Sequence, residues 1–284
     1  MTNLKTVAKK LHDRTDDGLV IGQAIYVLSA FITTDWMDGN LELRFPEVLR
    51  SSIGMHYLDH FNPGFEPISE PLPFPVWEKG KDGLQSYVCK LREGMEFSAG
   101  VKPCGEDIEL SFKVTNNTGQ RLDSIEINPC FMLIDSPDFP DRKMENFYIS
   151  IDGKLTSLSR TTPTPQQLGR EPWVTVLLKE NKETYAGQRD THMWWMVDQL
   201  ADENLMIAVS SDKKHIVGYT WNTRPFVLMN NVKHPCMHTG PGIISNLADG
   251  QSAEVFGKIY LMKNDMPLLL EKYNADHENW SRLG

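Results

Sequence analysis

Between Asp107 and Asn128 the chain reads DIELSFKVTNNTGQRLDSIEIN, and the first half of that stretch alternates strictly. Ile108, Leu110, Phe112 and Val114 fall on one side of an extended chain, while Glu109, Ser111, Lys113 and Thr115 fall on the other, because strand side chains repeat every two residues. A strand with one apolar side needs a second layer to cover it. Asn116-Asn117-Thr118-Gly119 supplies turn chemistry, and Leu122 to Asn128 returns as a second strand. The same grammar recurs at Leu205 to Ser210, the turn Ser211-Asp212-Lys213-Lys214 and His215 to Trp221. It appears again where Ala248-Asp249-Gly250-Gln251 leads into Ala253 to Met262. Hairpins at this density, with no helical pattern between them, predict an all-β fold, an antiparallel β-sandwich.

The ends of the chain read differently. NLKTVAKKLHDR carries Leu4, Val7 and Leu11 at helical spacing and predicts a short N-terminal helix within residues 1–17. At the other end, DMPLLLEKYNADHENW predicts a C-terminal helix within 265–284, with Asp265 as N-cap, Pro267 in the first turn, and Leu269, Tyr273 and Trp280 on one face. Gly18 to Thr34 is rich in β-branched and aromatic residues and favours strands, with Gly22 as a bend; a helix is the alternative there. Residues 35–85 hold many turn formers, above all FNPGFEPISEPLPFPVW, where the spacing of prolines opposes helix and central strand alike. That region reads as a long ordered loop anchored by Phe61, Phe65, Phe74 and Trp77. With 284 residues, the chain is expected to form one sandwich domain over 1–284 with helical additions at its ends.

Charge and cysteine usage narrow the partners. A net charge of −9 and a pI of about 5.4 leave no broad basic face for nucleic-acid phosphates or an anionic membrane, so neither is expected as a partner. Cys89, Cys104, Cys130 and Cys236 lie far apart with no CxxC pair, which argues against a disulfide scaffold. No secretory signal pattern opens the chain, and the apolar run Leu19 to Ile32 is too short to span a bilayer, so a cytoplasmic location is expected. A homo-oligomer is left open. Glycine patterns for nucleotides are absent, so no nucleotide cofactor is expected.

Three stretches bear residues suited to chemistry. In NNVKHPCMHTGPG, His234, Cys236 and His238 occupy alternate positions, and imidazole and thiolate on one side of a strand can hold one divalent metal, zinc or similar. The opposing reading is packing near a Gly/Pro turn, since free cysteine often behaves as a small hydrophobe. Because a strand ends there and a turn begins, His238 ranks above Cys236, which is expected to be mainly structural. The second stretch, QRDTHMWW, puts Arg189 and His192 beside Trp194 and Trp195, a combination suited to stacking on a sugar ring and to binding its polar groups. Its alternative is a core pair of tryptophans. The third, YTWNTR, carries Tyr219, Trp221 and Arg224, whose residue types serve proton abstraction beside a carboxylate; an ordinary hairpin strand is the competing account. Arg142, Arg160 and Arg170 add further loop arginines, and Asn128-Pro129-Cys130 shares a Pro-Cys step with His234-Pro235-Cys236.

The segments NNTGQRLDSIEINPCFMLIDSPDF and HPCMHTGPGIISNLADGQSAEVFGKIYLM resemble bacterial β-sandwich, galactose-mutarotase-like proteins linked to carbohydrate utilisation. The resemblance covers about half the chain and rests on the N-x-T-G turn, the Pro-Cys strand and the C-M-H-x-G-P turn; it implies a sandwich and a sugar-related role, with no catalytic residues carried over.

Together these features lead to the expectation of a carbohydrate-active enzyme, a lyase or dehydratase acting on a sugar acid or a uronate-containing oligosaccharide. His192, His238, Tyr219 and Arg224 are its candidate catalytic residues; Arg189, Trp194 and Trp221 would bind substrate; His234, His238 and His192 would be metal ligands. A non-catalytic carbohydrate-binding or assembly module is the rival from another class, and a cupin-like metal-dependent oxygenase or isomerase the third.

Overall fold

The computed structural model describes residues 1–139, 141–164, 173–183 and 196–282. In chain order the strands are β1 (Thr2–Lys10), β2 (Tyr26–Thr34), β3 (Leu41–Ser51), β4 (Gly54–Leu58), β5 (Glu78–Lys79), β6 (Gln85–Lys90), β7 (Met95–Cys104), β8 (Asp107–Asn116) and β9 (Leu122–Met132). They continue as β10 (Phe147–Ile151), β11 (Lys154–Ser157), β12 (Trp173–Leu178), β13 (Met196–Ala201), β14 (Met206–Val209), β15 (His215–Trp221), β16 (Val227–Asn231), β17 (Cys236–His238), β18 (Ile244–Leu247) and β19 (Ser252–Lys263), and helix α1 (Met266–Ser281) follows.

These strands make two sheets. The first is ten-stranded, in the order β1-β2-β3-β9-β17-β16-β12-β13, with β18 also on β9 and β4 on β3. The second is nine-stranded, in the order β11-β10-β14-β15-β19-β8-β7-β6-β5. Among the described residues the strands pair antiparallel, except β12 with β13, which run parallel. The sheets face each other across one apolar cluster, to which the alternation of each strand contributes one side: Leu41, Leu43 and Phe45 from β3, Ile125, Ile127 and Phe131 from β9, Ile108, Leu110, Phe112 and Val114 from β8. The expected β-sandwich is therefore the observed fold.

Tight packing is visible at Gly257. A Cβ placed there would lie 2.7 Å from Trp221 Cδ2, so only glycine on β19 leaves room for the indole of β15. Trp221 and Tyr219 are fully buried in the shared core, and Trp221 Nε1–H donates to Tyr219 Oη at 2.9 Å. On the outer side of the second sheet, Leu269 and Tyr273 of α1 cover Ile207, Ile216, Tyr260 and Met262 in a separate apolar cluster. The Asp265 side chain accepts from Leu268 N–H at 3.0 Å, and Pro267 sits in the first turn, so the helix starts as its sequence requires.

Three expectations change. The N-terminal helix is absent: residues Thr2–Lys10 form β1, paired in register with β2 from Thr2↔Thr34 to Lys10↔Tyr26. Its less exposed positions include Thr2, Leu4, Thr6 and Ala8, a period of two hidden by the weak apolar character of threonine and alanine. Residues 35–85 are not one long loop, because β3 and β4 run within them before the proline-rich segment begins. Phe61, Phe74 and Trp77 do rest against the core, whereas Phe65 is exposed. Finally, β8 and β9 are both strands but not a hairpin: β8 belongs to the second sheet and β9 to the first, so the Asn116–Gly119 turn carries the chain between layers. Buried Asn116 ties this corner, donating to Gln120 O at 2.8 Å and Leu247 O at 2.9 Å while accepting from Thr118 N–H at 3.1 Å.

Candidate functional site

Where the first sheet turns its back on the core, polar residues gather in its middle. Leu43 and Phe45 of β3 face inward, which turns Glu42 and Arg44 outward. On β9 the same alternation turns Asn128 and Cys130 outward, and on β17, with Met237 inward, Cys236 and His238. Register aligns them: Ser29↔Arg44 and Arg44↔Cys130 are direct partners, and Cys236↔Met132 with Met237↔Phe131 brings His238 next beside Cys130. His238 in turn pairs with Met229 of β16, and Met229 with Thr175 of β12. A single cross-strand row thus runs Ser29, Arg44, Cys130, His238, Met229, Thr175.

A break in the ladder adds a carboxylate to this face. Arg44 pairs with Cys130 and Val48 with Asn128, so Phe45, Pro46 and Glu47 oppose Pro129 alone. Neither Pro46 nor Pro129 has an N–H to donate, and two prolines facing each other across a ladder force a bulge. The bulge delivers Glu47. Backbone pairing then brings in its partners, since Asp59 N–H donates to Glu47 O at 3.1 Å. His60 Nδ1–H donates to Asp59 Oδ1 at 2.7 Å and lies 4.0 Å from Glu47 Oε1. Arg44 Nη1 stands 3.5 Å from Asp59 Oδ2, and its Nε 3.6 Å from Glu42 Oε1. No hydrogen bond occupies His60 Nε2 among the described residues. Side-chain exposure is 16% for Glu47 and 20% for His60, so both are reachable.

The electrostatics follow from burial and these neighbours. Burial, with the charge of Asp59, pushes the Glu47 carboxyl up to about 7 against the opposing pull of His238 and His60. For His60, burial lowers the imidazole, but the bond to Asp59 and the charges of Asp59 and Glu47 outweigh it, and the net direction is up. Arg44 is likewise raised: its burial cost is exceeded by Asp59, Glu42 and Glu47. Near neutrality the Glu47–His60 pair can therefore both give and accept a proton.

A second group lies beside the first. Cys130 Sγ, Cys236 Sγ and the ring nitrogen of His238 lie within 4.8 Å of one another, with Cys236 Sγ 3.3 Å from His238 Nε2. Nδ1 of the same ring bonds to Asn128 Oδ1 at 3.0 Å, and the Trp173 indole meets it edge-on at 6.0 Å between centroids. Hydrogen bonding from Cys130 draws the Cys236 thiol well below its usual range, and His238 is raised because the charge of Cys236 outweighs burial. These are the side chains on this face that could hold a soft metal. Glu47, Asp59 and His60 also converge, but Asp59 is already engaged by His60 and Arg44. Asn128 and His238 line a cavity of about 450 Å³, together with Phe226 and the Gly240-Pro241-Gly242 turn. Glycine is needed at 242, where a Cβ would meet Arg224 O at 2.2 Å.

The sequence-predicted residues are dispersed by the fold. His238 is on the polar face, with both ring nitrogens engaged. His234 is exposed and precedes β17, so the alternation begins only at Cys236 and His234 is not brought to the same cluster. Tyr219 and Trp221 lie in the core between the sheets. Arg224 is at the surface, bonded to Glu180 Oε2 at 2.8 Å and Glu203 Oε2 at 2.7 Å. Arg189, His192, Trp194 and Trp195, like Arg170, lie outside the described residues. Cys236, expected to be structural, is buried yet belongs to neither apolar cluster, whereas Cys89 packs within the main one. Arg44, Glu47, Asp59 and His60 were missed because they fall in the stretch read as loop. Pro46 and Pro129 were the available signal, legible only once their strands are known to be neighbours.

No protein-family model matches the chain, and no curated protein matches it. Among solved structures it is similar to a galactose mutarotase-like protein from Clostridium acetobutylicum, with 10% identity over 91% of this chain and 99% of that one and a TM-score of 0.46. A galactose mutarotase related enzyme from Lactobacillus acidophilus matches with 12% identity over 92% of this chain and 99% of that one, TM-score 0.42. The Slr1438 protein from Synechocystis sp. PCC 6803 matches with 9% identity over 92% and 97%, TM-score 0.46. These likenesses, at 9–12% identity, assign the chain no activity.

Proposed function

We propose that this protein is a carbohydrate-active enzyme that moves protons at the anomeric centre of a reducing sugar, with Glu47 and His60 as the paired acid and base. The observation that carries this reading is geometric: a carboxylate and an Asp-held imidazole 4.0 Å apart on the outer face of the sheet, with His60 Nε2 unengaged. Opening a sugar ring removes a proton from the C1 hydroxyl and delivers one to the ring oxygen. Both oxygens sit on one carbon, so an acid and a base close together on one side suffice. The carboxyl held up near neutrality suits this exchange, since efficient proton transfer wants a pKa near the working pH. Asp59 fixes the imidazole orientation, and Arg44 balances the carboxylates around it. The choice of sugar rests on the resemblance of the two quoted segments to galactose-mutarotase-like proteins.

A second reading keeps the expected lyase or dehydratase chemistry on a sugar acid. It is favoured by one feature, the Arg44 guanidinium on the same face, which could neutralise a carboxylate; but Arg44 already faces Asp59 and Glu42, and Arg224 is held by two glutamates. The two readings separate in one experiment. Polarimetry on freshly dissolved aldoses should show anomer interconversion faster than in buffer, with no new ultraviolet absorbance from uronate-containing oligosaccharides. Absorbance growth on uronates without anomer exchange would replace the first reading with the second, and silence in both assays would remove both.

A further inference from the structure

We propose that Cys130, Cys236 and His238 form a binding site for one soft divalent cation, zinc in particular, on the outer face of the first sheet. This site stands independently of the Glu47–His60 reading and uses none of its residues. The three ligand atoms already lie within 4.8 Å of one another, and Cys236 Sγ is 3.3 Å from His238 Nε2. A tetrahedral zinc with bonds of about 2.3 Å to sulfur and about 2.0 Å to nitrogen needs its ligand atoms roughly 3.5–3.8 Å apart, so side-chain adjustments of at most about an ångström admit the ion.

Three further features favour a cation over simple packing. Both cysteines are buried on the side of the strands away from the core and belong to neither apolar cluster, so hydrophobic filling does not account for them. Of the three Pro-Cys steps in the sequence, at Cys104, Cys130 and Cys236, the last two are brought to the neighbouring strands β9 and β17, whose ladder holds them side by side. His238 Nδ1 is tied to Asn128 Oδ1 at 3.0 Å, which makes Nδ1 the protonated nitrogen and turns the Nε2 lone pair toward the thiols. An outer partner of this kind on the remote nitrogen is the common accompaniment of a metal-bound histidine. Two thiolates and one imidazole select zinc over magnesium or calcium, which prefer oxygen ligands.

Binding releases two protons to solvent, one from the Cys130 thiol and one shared by the Cys236–His238 pair, as both sulfurs and Nε2 form their bonds to the metal, with no change of oxidation state. Three protein ligands leave the fourth position for water or a substrate oxygen, and His238 is a wall of the cavity from which either would come.

The test is metal content and a cobalt spectrum of the full chain, produced without a polyhistidine tag and kept reduced. Elemental analysis is expected to find one equivalent of zinc per chain. Replacement by cobalt should produce a near-ultraviolet thiolate charge-transfer band and the visible bands of a tetrahedral ion. Cys130→Ser and Cys236→Ser should each diminish that band, while Cys104→Ser, an exposed thiol at the end of β7, should leave it intact. Asn128→Ala should retain the band but weaken metal affinity roughly 10–100-fold. Wild-type protein that is folded by circular dichroism yet takes up neither zinc nor cobalt would overturn the proposal. So would a Cys130–Cys236 disulfide formed in place of metal binding, or a band that Cys104→Ser removes equally.

Discussion

Glu47 and Tyr219 are both ionisable side chains raised by burial, but Glu47 keeps 16% of its side chain exposed while Tyr219 is fully enclosed. Glu47 sits on the outer face of its sheet among Asp59, His60, Arg44, Cys236 and His238, and burial with the Asp59 charge raises it to about 7. A carboxyl whose folded pKa exceeds its unfolded value binds more protons in the native state, so the fold is favoured at low pH and that advantage is lost as pH rises from about 4.5 to about 7. Glu47→Gln removes this penalty, and urea titrations should find the variant equal to or more stable than wild type above pH 7, by about 1–3 kcal/mol. Activity should move the other way, falling about 10²–10⁴-fold, the range a positioned acid or base contributes. Tyr219 has no such outlet. Its hydroxyl is pushed up by burial and accepts from Trp221 Nε1–H at 2.9 Å, entirely within the core. Tyr219→Phe leaves that indole N–H unpaired and should cost about 1–3 kcal/mol in chemical denaturation with kcat unchanged.

At the scale of elements, the two bends that matter most arise from simple chemistry. Opposed Pro46 and Pro129 break the β3–β9 ladder and present Glu47; Gly257 lets β19 pass beneath the Trp221 indole. Gly257→Ala would place a Cβ within 2.7 Å of that ring, and thermal unfolding should report a loss of about 1–3 kcal/mol from the crowding. At α1, Asp265→Ala deprives Leu268 N–H of its acceptor and should cost about 1 kcal/mol, read by the same measurement. The sequence made β8, β9, β14, β15, β19 and α1 legible because period-two alternation and cap residues are local signals. It left β1 hidden, since Thr6 and Ala8 do not announce an apolar side, and it left β3 hidden behind the turn formers that surround it. The candidate site went with β3. Arg44, Glu47, Asp59 and His60 become a group only through register between strands distant in sequence, and no spacing along one stretch encodes that. His238 and Cys236 were visible because two of their shared positions lie on one strand; the third member of their cluster, Cys130, is contributed by another.

Across the whole molecule, one apolar cluster spans both sheets, while polar chemistry collects on the outer side of the first and α1 covers part of the outer side of the second. Residues of every long strand from β2 to β19 meet in that cluster, so the two layers should unfold together. Tryptophan fluorescence and far-ultraviolet circular dichroism should then give coincident denaturation curves. No helix among the described residues is long and apolar enough to cross a membrane. The acidic balance of the chain, −9 overall, fits a small uncharged ligand better than a polyanion. What ties fold to function in this account is the Glu47–His60 pair, and the most direct test is the pH dependence of anomer exchange, followed by magnetisation transfer between the α and β signals of an aldose. Wild-type protein should show a rate that rises through an apparent pKa of about 7 as Glu47 gives up its proton, and Glu47→Gln should lower the rate about 10²–10⁴-fold and remove that limb of the profile. An exchange rate that Glu47→Gln leaves unchanged, at any pH, would contradict it.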